Sequence, residues 1–518
     1  MSEQSLGLGL LAELLGPNVL TLLVFLPTLG GLTILALPGE AKNAVRTLGL
    51  LASGATLALS AWIASRFDAG VPGISGFRYD VPWVPRLGIW YRVGIDGLSL
   101  SLVLLTTFLT VCVLLVACGQ KIDRWKGYVA AFLFLETGML GSLVALDAIL
   151  FYVFWEVMLI PMYFIIGIWG GKRRIYATMK FVLFTLAGSL LMLLGILFLS
   201  GAHERATGFR TFSVLDWMQA ASSGAWHLGA RPEALLFWAF ALAFLVKVPL
   251  WPLHTWLPDA HVEAPTGGSI ILAGVLLKLG TYGLLRFCLP LFPAATVRYT
   301  PVIAFLALVG VVYGAWVAAA QQDMKKLVAY SSVSHLALVV LGIVAGNAAA
   351  MSGAVFQMVG HGLTTGLLFL LVGVLYERRH TREMADYGGV ATQVPVTTTL
   401  FVVATLGSVG APGLVGFVGE FLILGGVFRT NVLWAAVGAT GMILSAIYLL
   451  TLVQKVFWGP QEGDANKGLS DINGWELAGA LPIAVAIVVL GVWPAPVLGL
   501  VKGSVDLVLQ VAQRAPLP

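Results

Sequence analysis

Charge is what this sequence has least of. Only 11% of its 518 residues are Asp, Glu, Lys or Arg, against 59% hydrophobic, and the mean hydropathy is +0.93. A soluble domain carries about a quarter charged residues, so lipid must be the solvent for most of this chain. Cysteine is scarce too. Cys112, Cys118 and Cys288 stand singly in apolar runs, which excludes a disulfide framework or paired metal-ligand spacing and reads as small core residues. No Lys or Arg precedes Lys42, so the first apolar run has no basic flank of a cleaved signal peptide and reads as a permanent span. A net charge of +5 without any basic, aromatic-interleaved patch carries no argument for nucleic acid. Phosphate-binding glycine loops, nucleophile elbows and His–carboxylate metal spacings are missing as well.

What is there is a succession of apolar runs, each of about 17 to 25 residues and able to cross roughly 30 Å of hydrocarbon. About fourteen occur, at 18–38, 45–65, 94–118, 127–146, 149–170, 177–200, 233–257, 268–289, 300–320, 326–345, 350–376, 395–427, 432–457 and 477–500. No alternating β pattern competes with them, so the expected fold class is all-α and polytopic, with no soluble domain or long amphipathic helix appended. The longer connections 66–93, 201–231 and 457–476 are rich in Gly, Pro and charge, and Trp217 and Trp226 there read as interface anchors. Lys42, Lys121, Lys172, Lys325, Arg378 and Lys455 are among the many cations on one side; Arg286, Arg298, Arg429, Lys502 and Arg514 fall on the other. The positive-inside rule places the richer side in the cytoplasm and both termini outside.

A few ionisable residues remain inside the spans. Each costs at least about 2.5–3.5 kcal/mol at the bilayer centre, so each is a functional candidate. Lys247 is the strongest. Pro249 and Pro252 follow it directly and should break the helix beside it, leaving backbone groups that an internal water-filled cavity can satisfy. A lysine there is either a proton carrier or one half of a static ion pair. Glu156 is its natural counter-ion. Lys278 lies mid-span in the next helix, and Glu420 follows a stretch interrupted by Pro412 and several glycines. Two interrupted spans, one in each half and each with an ionisable group, point to inverted repeats with sites near the midplane. His335 and His361, flanked by small polar residues, suit a relay. His254 and His261 are as compatible with anchoring as with relay. Lys180 reads as an interfacial charge, and Glu136 is open.

At these residues the chain resembles a known family. DAILFYVFWEVMLIPMYFIIGIWGG, KVPLWPLHTWLPDAHVEAPTGGSIILAGVLLKLGTYG and KKLVAYSSVSHL are similar to motifs of the antiporter-like membrane subunits of respiratory complex I, the proton-pumping NADH:quinone oxidoreductase. The similarity spans roughly residues 90–460. Glu420 stands where most members carry lysine, which resembles the M-type, and no long lateral helix of the L-type is expected after residue 500. The resemblance implies fourteen helices and two inverted five-helix repeats. The expected division is 1–125 for helices 1–3, 126–290 for the first repeat, 291–460 for the second, and 461–518 for the last helix and tail.

The resemblance also implies Glu156 paired with Lys247, Lys278 as the central connecting lysine, Glu420 as the outward terminal residue, and His335 and His361 on the polar axis between. It implies no cofactor or metal in this chain, with FMN and iron–sulfur clusters in partner subunits, and a place beside other membrane and peripheral subunits in a bacterial inner membrane. The rival readings are a subunit of a multi-subunit cation/proton antiporter, which Glu420 speaks against, a membrane subunit of a ferredoxin- or hydrogenase-linked relative, and a purely structural scaffold.

Overall fold

The computed structural model describes residues 16–39, 41–71, 73–74, 76–223, 228–460 and 464–514. Among these, thirteen helices are long and apolar enough to cross a membrane, the last being Ala495–Ala512. Two interrupted helix pairs, 230–263 and 395–430, are not among the thirteen. With these two pairs, apolar helices occupy each of the fourteen expected runs, and Ala495–Ala512 is a further one. The fourth to eighth (Trp125 to Leu291) and the ninth to thirteenth (Pro293 to Trp458) each form a unit of five with the fourth member interrupted. Five is odd, so the two units start from opposite faces and the second is inverted relative to the first.

Short polar residues explain where the helices begin. Asp96 caps Gly97–Cys118 in a capping box with Ser99, Asp323 accepts from the N–H groups of Lys325 and Lys326, and Asn473 accepts from those of Trp475 and Glu476. Each cap satisfies N–H groups that a helix start leaves open. Burial then separates centre from rim. The most apolar windows of the eighth (Thr266–Leu291) and eleventh (Ala348–Arg379) spans are wholly buried, while that of the sixth (Arg174–Thr207) is only 39% buried and turns its leucines to lipid. The central spans carry the ionisable residues.

Three expectations are corrected. The 66–93 connection contains an antiparallel hairpin, β1 (Arg78–Val84) and β2 (Ile89–Gly94), with Tyr79 opposite Val93 and Val81 opposite Tyr91. Its β-branched and aromatic residues pair across a tight turn at Gly88, and a reading tuned to 20-residue spans passes over strands this short. Trp217 is no interface anchor: it is fully buried and its indole N–H donates to the Thr211 carbonyl at 3.2 Å. Trp226 lies outside the described residues. Finally, the fourteenth span ends at Val492, before Pro494, and a 20-residue helix, Ala495–Arg514, follows. Val501, Ser504, Val505 and Val508 are its buried residues, spaced three and four apart as on one face of an amphipathic helix. Leu500 lies against Gly97, Ser504 accepts from the Leu98 N–H at 3.3 Å, and Leu507 approaches Gly73. All three contacts fall on the face that carries the hairpin, so this helix caps that face.

Candidate functional site

The eighth span supplies the centre. Two wider π turns, Leu272–Leu276 and Leu284–Cys288, bracket Leu277–Gly283, a distortion frequent at functional sites. Lys278, 1% exposed, donates to the carbonyl of Ala273 and lies 2.8 Å from His361 Nδ1. His361 Nε2 has no partner among the described residues. The His361 and His335 rings are 5.7 Å apart, and His335 Nδ1 reaches Glu420 Oε1 at 3.1 Å. Gln357 Nε2 donates to the same oxygen at 3.2 Å, and Ser408 Oγ stands 3.5 Å from His335 Nε2. Lys278, His361, His335 and Glu420 thus form one buried line of ionisable groups from the last span of the first unit into the second.

Glu420 owes its place to the broken twelfth span. The helix Pro395–Val409 stops where Gly410 turns to φ +79°, and Val415–Thr430 resumes after Gly413 at φ +87°. These left-handed conformations suit glycine. Glu420 Oε2 packs against the bare Cα of Gly410, while its Oε1 faces His335 and Gln357. The seventh span breaks as Pro249 and Pro252 require. Its first half, Ala230–Lys247, ends at the lysine, and the chain resumes as helix at Trp256. The Trp256 indole donates to the freed Val246 carbonyl at 2.9 Å, so part of the break is satisfied by protein.

The implied Glu156–Lys247 contact does not form. Lys247 Nζ is buried without a hydrogen-bond partner among the described residues, 4.8 Å over the Trp155 ring and 5.9 Å over Phe181. The ammonium rests on aromatic faces. Glu156 is half-buried, with Oε1 unpartnered among the described residues and close enough to Lys247 to act on it electrostatically.

A sequence profile described as NADH:quinone oxidoreductase/Mrp antiporter, TM, matches residues 145–447. The chain belongs to this family. It is 44% identical to NADH-quinone oxidoreductase subunit M of Rhodobacter capsulatus, over 95% of this chain and 96% of that one. Its structure is similar to a chain of respiratory complex I from Thermus thermophilus solved with bound NADH, with a TM-score of 0.85, 35% identity and coverage of 96% and 100%. A chain of the Mrp complex from Dietzia shares the fold alone, at a TM-score of 0.81 and 20% identity over 95% and 99%.

Beyond that line, several polar residues have places the sequence did not suggest. Gln357 was legible in principle, since it precedes His361 by one helical turn on the same face. Lys325 and Arg286, counted as loop cations, are buried: Lys325 Nζ donates to the Ala264 carbonyl at 2.6 Å, and Arg286 pairs with Asp96 at 2.7 Å and with the Tyr282 hydroxyl at 3.1 Å. Lys180 pairs with Asp259 at 2.7 Å, tying the sixth span to the second half of the seventh. His254 is buried with Tyr313 edge-on at 5.3 Å, and His261 lies flat on Phe369 at 4.5 Å. Glu136 is fully buried with both oxygens unpartnered among the described residues. Among the described residues no group of three or more His, Cys, Asp or Glu could hold a metal ion.

Proposed function

We propose that this chain is a proton-translocating membrane subunit of an NADH:quinone oxidoreductase and that the line Lys278–His361–His335–Glu420 conducts the protons. The observation that carries the reading is the line itself. Four ionisable residues from the eighth, tenth, eleventh and twelfth spans, all buried, are joined by contacts of 2.8 and 3.1 Å and a 5.7 Å ring separation. Burying so many ionisable groups at membrane depth is costly, and groups kept there at that cost mark ion pathways and proton relays. Imidazole accepts a proton on one nitrogen and releases another from the second, so two histidines between a lysine and a glutamate form a relay. The relatives' names support membership of an NADH-quinone oxidoreductase assembly; in this reading electron transfer through FMN and iron–sulfur clusters is left to partner subunits, and this chain contributes the path.

In this reading, 126–290 and 291–460 are two half-channels, with 1–125 and 461–518 as flanking support. Lys247 and Glu156 act as the regulating pair of the first half. When their separation changes, the charge on Lys247 changes, and the proton on Lys278 moves toward Glu420. The face carrying Arg378 and Lys455 lies in the cytoplasm of a bacterial inner membrane and both termini lie outside.

The first test is a pull-down of tagged chain in mild detergent, assayed for NADH-dependent quinone reduction. Co-purifying activity places the chain in the NADH-driven complex. An intact complex inert toward NADH moves it to an antiporter or a ferredoxin-linked assembly. Replacing Lys247 by Ala in the active complex should then abolish pumping through this subunit, and an unchanged proton-to-electron ratio would remove Lys247 from the mechanism.

A further inference from the structure

On the hairpin side of the molecule a groove of about 880 Å³ runs between the first, fourth and fifth spans. Asn18 and, in the first span (Val19–Ala36), Thr21, Phe25 and Thr28 line one wall, at the steps of three and four that make one helix face. Val153, Val157 and Ile160 of the fifth span line the other, and the hairpin closes the top with Tyr79, Trp83 and Tyr91. The ten residues from Asn18 to Thr28 cover about 15 Å of helix, which is one leaflet of a hydrocarbon core roughly 30 Å thick. The groove ends at that depth. One turn further in, Gly31 packs on the Phe134 ring so closely that a Cβ would stand 3.0 Å from it.

The two ends of the groove differ in chemistry. At the hairpin end stand Asn18, Thr21, Tyr79 and Tyr91. The Thr21 and Tyr91 hydroxyls neighbour each other, and neither makes a hydrogen bond of normal geometry to a described residue. Trp83, 51% exposed at the rim, has the place of an interfacial aromatic. At the inner end Thr28 and Thr137 bond to each other at 2.7 Å, which leaves Phe134, Ile160 and Pro161 to face the space. A partner helix that crossed the membrane would need a groove of full membrane height. A groove one leaflet deep, polar at the interface and apolar at mid-membrane, has the pattern of a lipid.

The fifth span is interrupted beside the groove. Ala148–Val157 stops, Leu159–Trp169 resumes, and Pro161 has no N–H to offer the Val157 carbonyl. Val153 and Val157 precede the interruption, while Ile160 and Pro161 follow it, so an occupant touches both pieces. We propose that the groove is a binding site for one phospholipid of the hairpin-side leaflet. An acyl chain lies along Val153, Val157 and Ile160, and the ester and headgroup lie beside Thr21, Tyr91 and Trp83. Contact with fixed walls on three spans, in place of moving lipid neighbours, is what separates this molecule from the fluid annulus. Glu156 sits in the last turn before the interruption, so the bound lipid supports the segment that carries it.

The test is photolabelling of the assembled complex with phosphatidylethanolamine that carries a diazirine at the end of one acyl chain. The complex is loaded in proteoliposomes, washed in mild detergent to strip annular lipid, irradiated, and its labelled peptides are read by mass spectrometry. The share of total label found at Thr28, Thr137 and Ile160 is expected to rise about tenfold on washing, the excess that a preference of about 1.4 kcal/mol gives. A share that does not rise means annular contact only and overturns the proposal. No label in the groove at all means that a partner subunit or another segment fills it, and overturns the proposal equally. The same lipid with its diazirine in the headgroup should label Asn18 or Tyr79 and spare Thr137; the reverse pattern overturns the assigned orientation. Ile160, 58% exposed, accepts a larger side chain, and Ile160→Trp should fill the inner end and lower the retained label at Thr137 about tenfold. Unchanged label in that variant overturns the site, and should the variant not assemble, the washed wild-type complex decides by itself.

Discussion

Gly410 offers a way to displace Glu420 without changing its chemistry. A Cβ at Gly410 would stand 2.6 Å from Glu420 Oε2 and 3.4 Å from the Met442 methyl. The carboxylate must retreat by roughly 0.8 Å to reach ordinary contact, while its bond to His335, already 3.1 Å, has only about 0.4 Å left before it leaves hydrogen-bond range. A charge-assisted bond of this kind contributes about 1.5–3 kcal/mol, which is about ten- to a hundredfold in rate if it is needed at the rate-limiting transfer. The alanine also costs about 1–2 kcal/mol for its left-handed backbone. Gly413 controls for that cost, because it has φ +87° in the same loop and nothing within 4 Å of its Cβ position. Gly410→Ala and Gly413→Ala should therefore lose similar thermal stability in detergent. In proteoliposomes only Gly410→Ala should slow NADH-driven proton uptake, by tenfold or more relative to Gly413→Ala. Equal uptake by the two would refute the assignment of Glu420 to the path.

Two aspartates outside the spans should give opposite pH slopes to stability. Burial pushes Asp147 up to about 6, against the N–H groups of Leu150, Trp90 and Ile149 and the charge of Arg92 that pull it down. The native state therefore holds this proton more tightly than the unfolded chain, and the resulting stability, up to about 3 kcal/mol at about 1.4 kcal/mol per unit, is present below about pH 4 and lost as pH rises through about 6. Asp147→Asn should flatten the pH 4–7 limb of a thermal-unfolding series, and an unchanged limb would show that Asp147 is not its source. Asp471 is held below its ordinary value; burial opposes this, and bonds from Thr397, Ile472 and Val396 outweigh it. Its contribution is present above about pH 4 and fades as pH falls below that. Asp471 accepts from the Val396 N–H at 2.7 Å and the Thr397 N–H at 3.0 Å, capping the twelfth span from a distant loop. Asp471→Ala should cost about 0.5–2 kcal/mol, and an unmoved unfolding midpoint at pH 7 would contradict the cap.

How much was legible follows from range. A crossing announces itself within about 20 residues by hydropathy, and the breaks at Pro249, Pro252 and Pro412 announce themselves within a turn. The candidates Lys247, Lys278 and Glu420 were visible because charge inside an apolar run is rare. Contact between candidates was not visible. Lys278 and His361 are 83 residues apart and His335 and Glu420 85, and no local pattern encodes which faces meet. Span counting by hydropathy also misplaced Lys325 and Arg286, since a cation at a helix end reads as solvated whether it meets water or a carbonyl such as that of Ala264. The Ala495–Arg514 helix was merged with its neighbour because its apolar face continues the preceding run, and only Pro494 separates them.

The separation of Lys247 from Glu156 bears on how the two halves divide their work. A lysine locked in a close ion pair is a poor proton donor, because its partner stabilises the charge it must lose. Here, among the described residues, Lys247 Nζ has the faces of Trp155 and Phe181 beneath it and no hydrogen-bond partner, a cation–π interaction of about 2 kcal/mol when desolvated and one that does not depend on the state of any other ionisable group. Glu156, half-buried with one oxygen free, is the part able to vary. On the proposed reading its approach stabilises the charge on Lys247 and its retreat removes that support, which makes the pair a control that responds to position. On the proposed reading the conductor is the eighth span together with the second unit, with His335 already on Glu420 and Lys278 already on His361. Between the seventh and eighth spans Phe244 packs on Gly283 and Val248 on Gly280, close contacts through which a shift of the broken seventh span reaches the helix that carries Lys278.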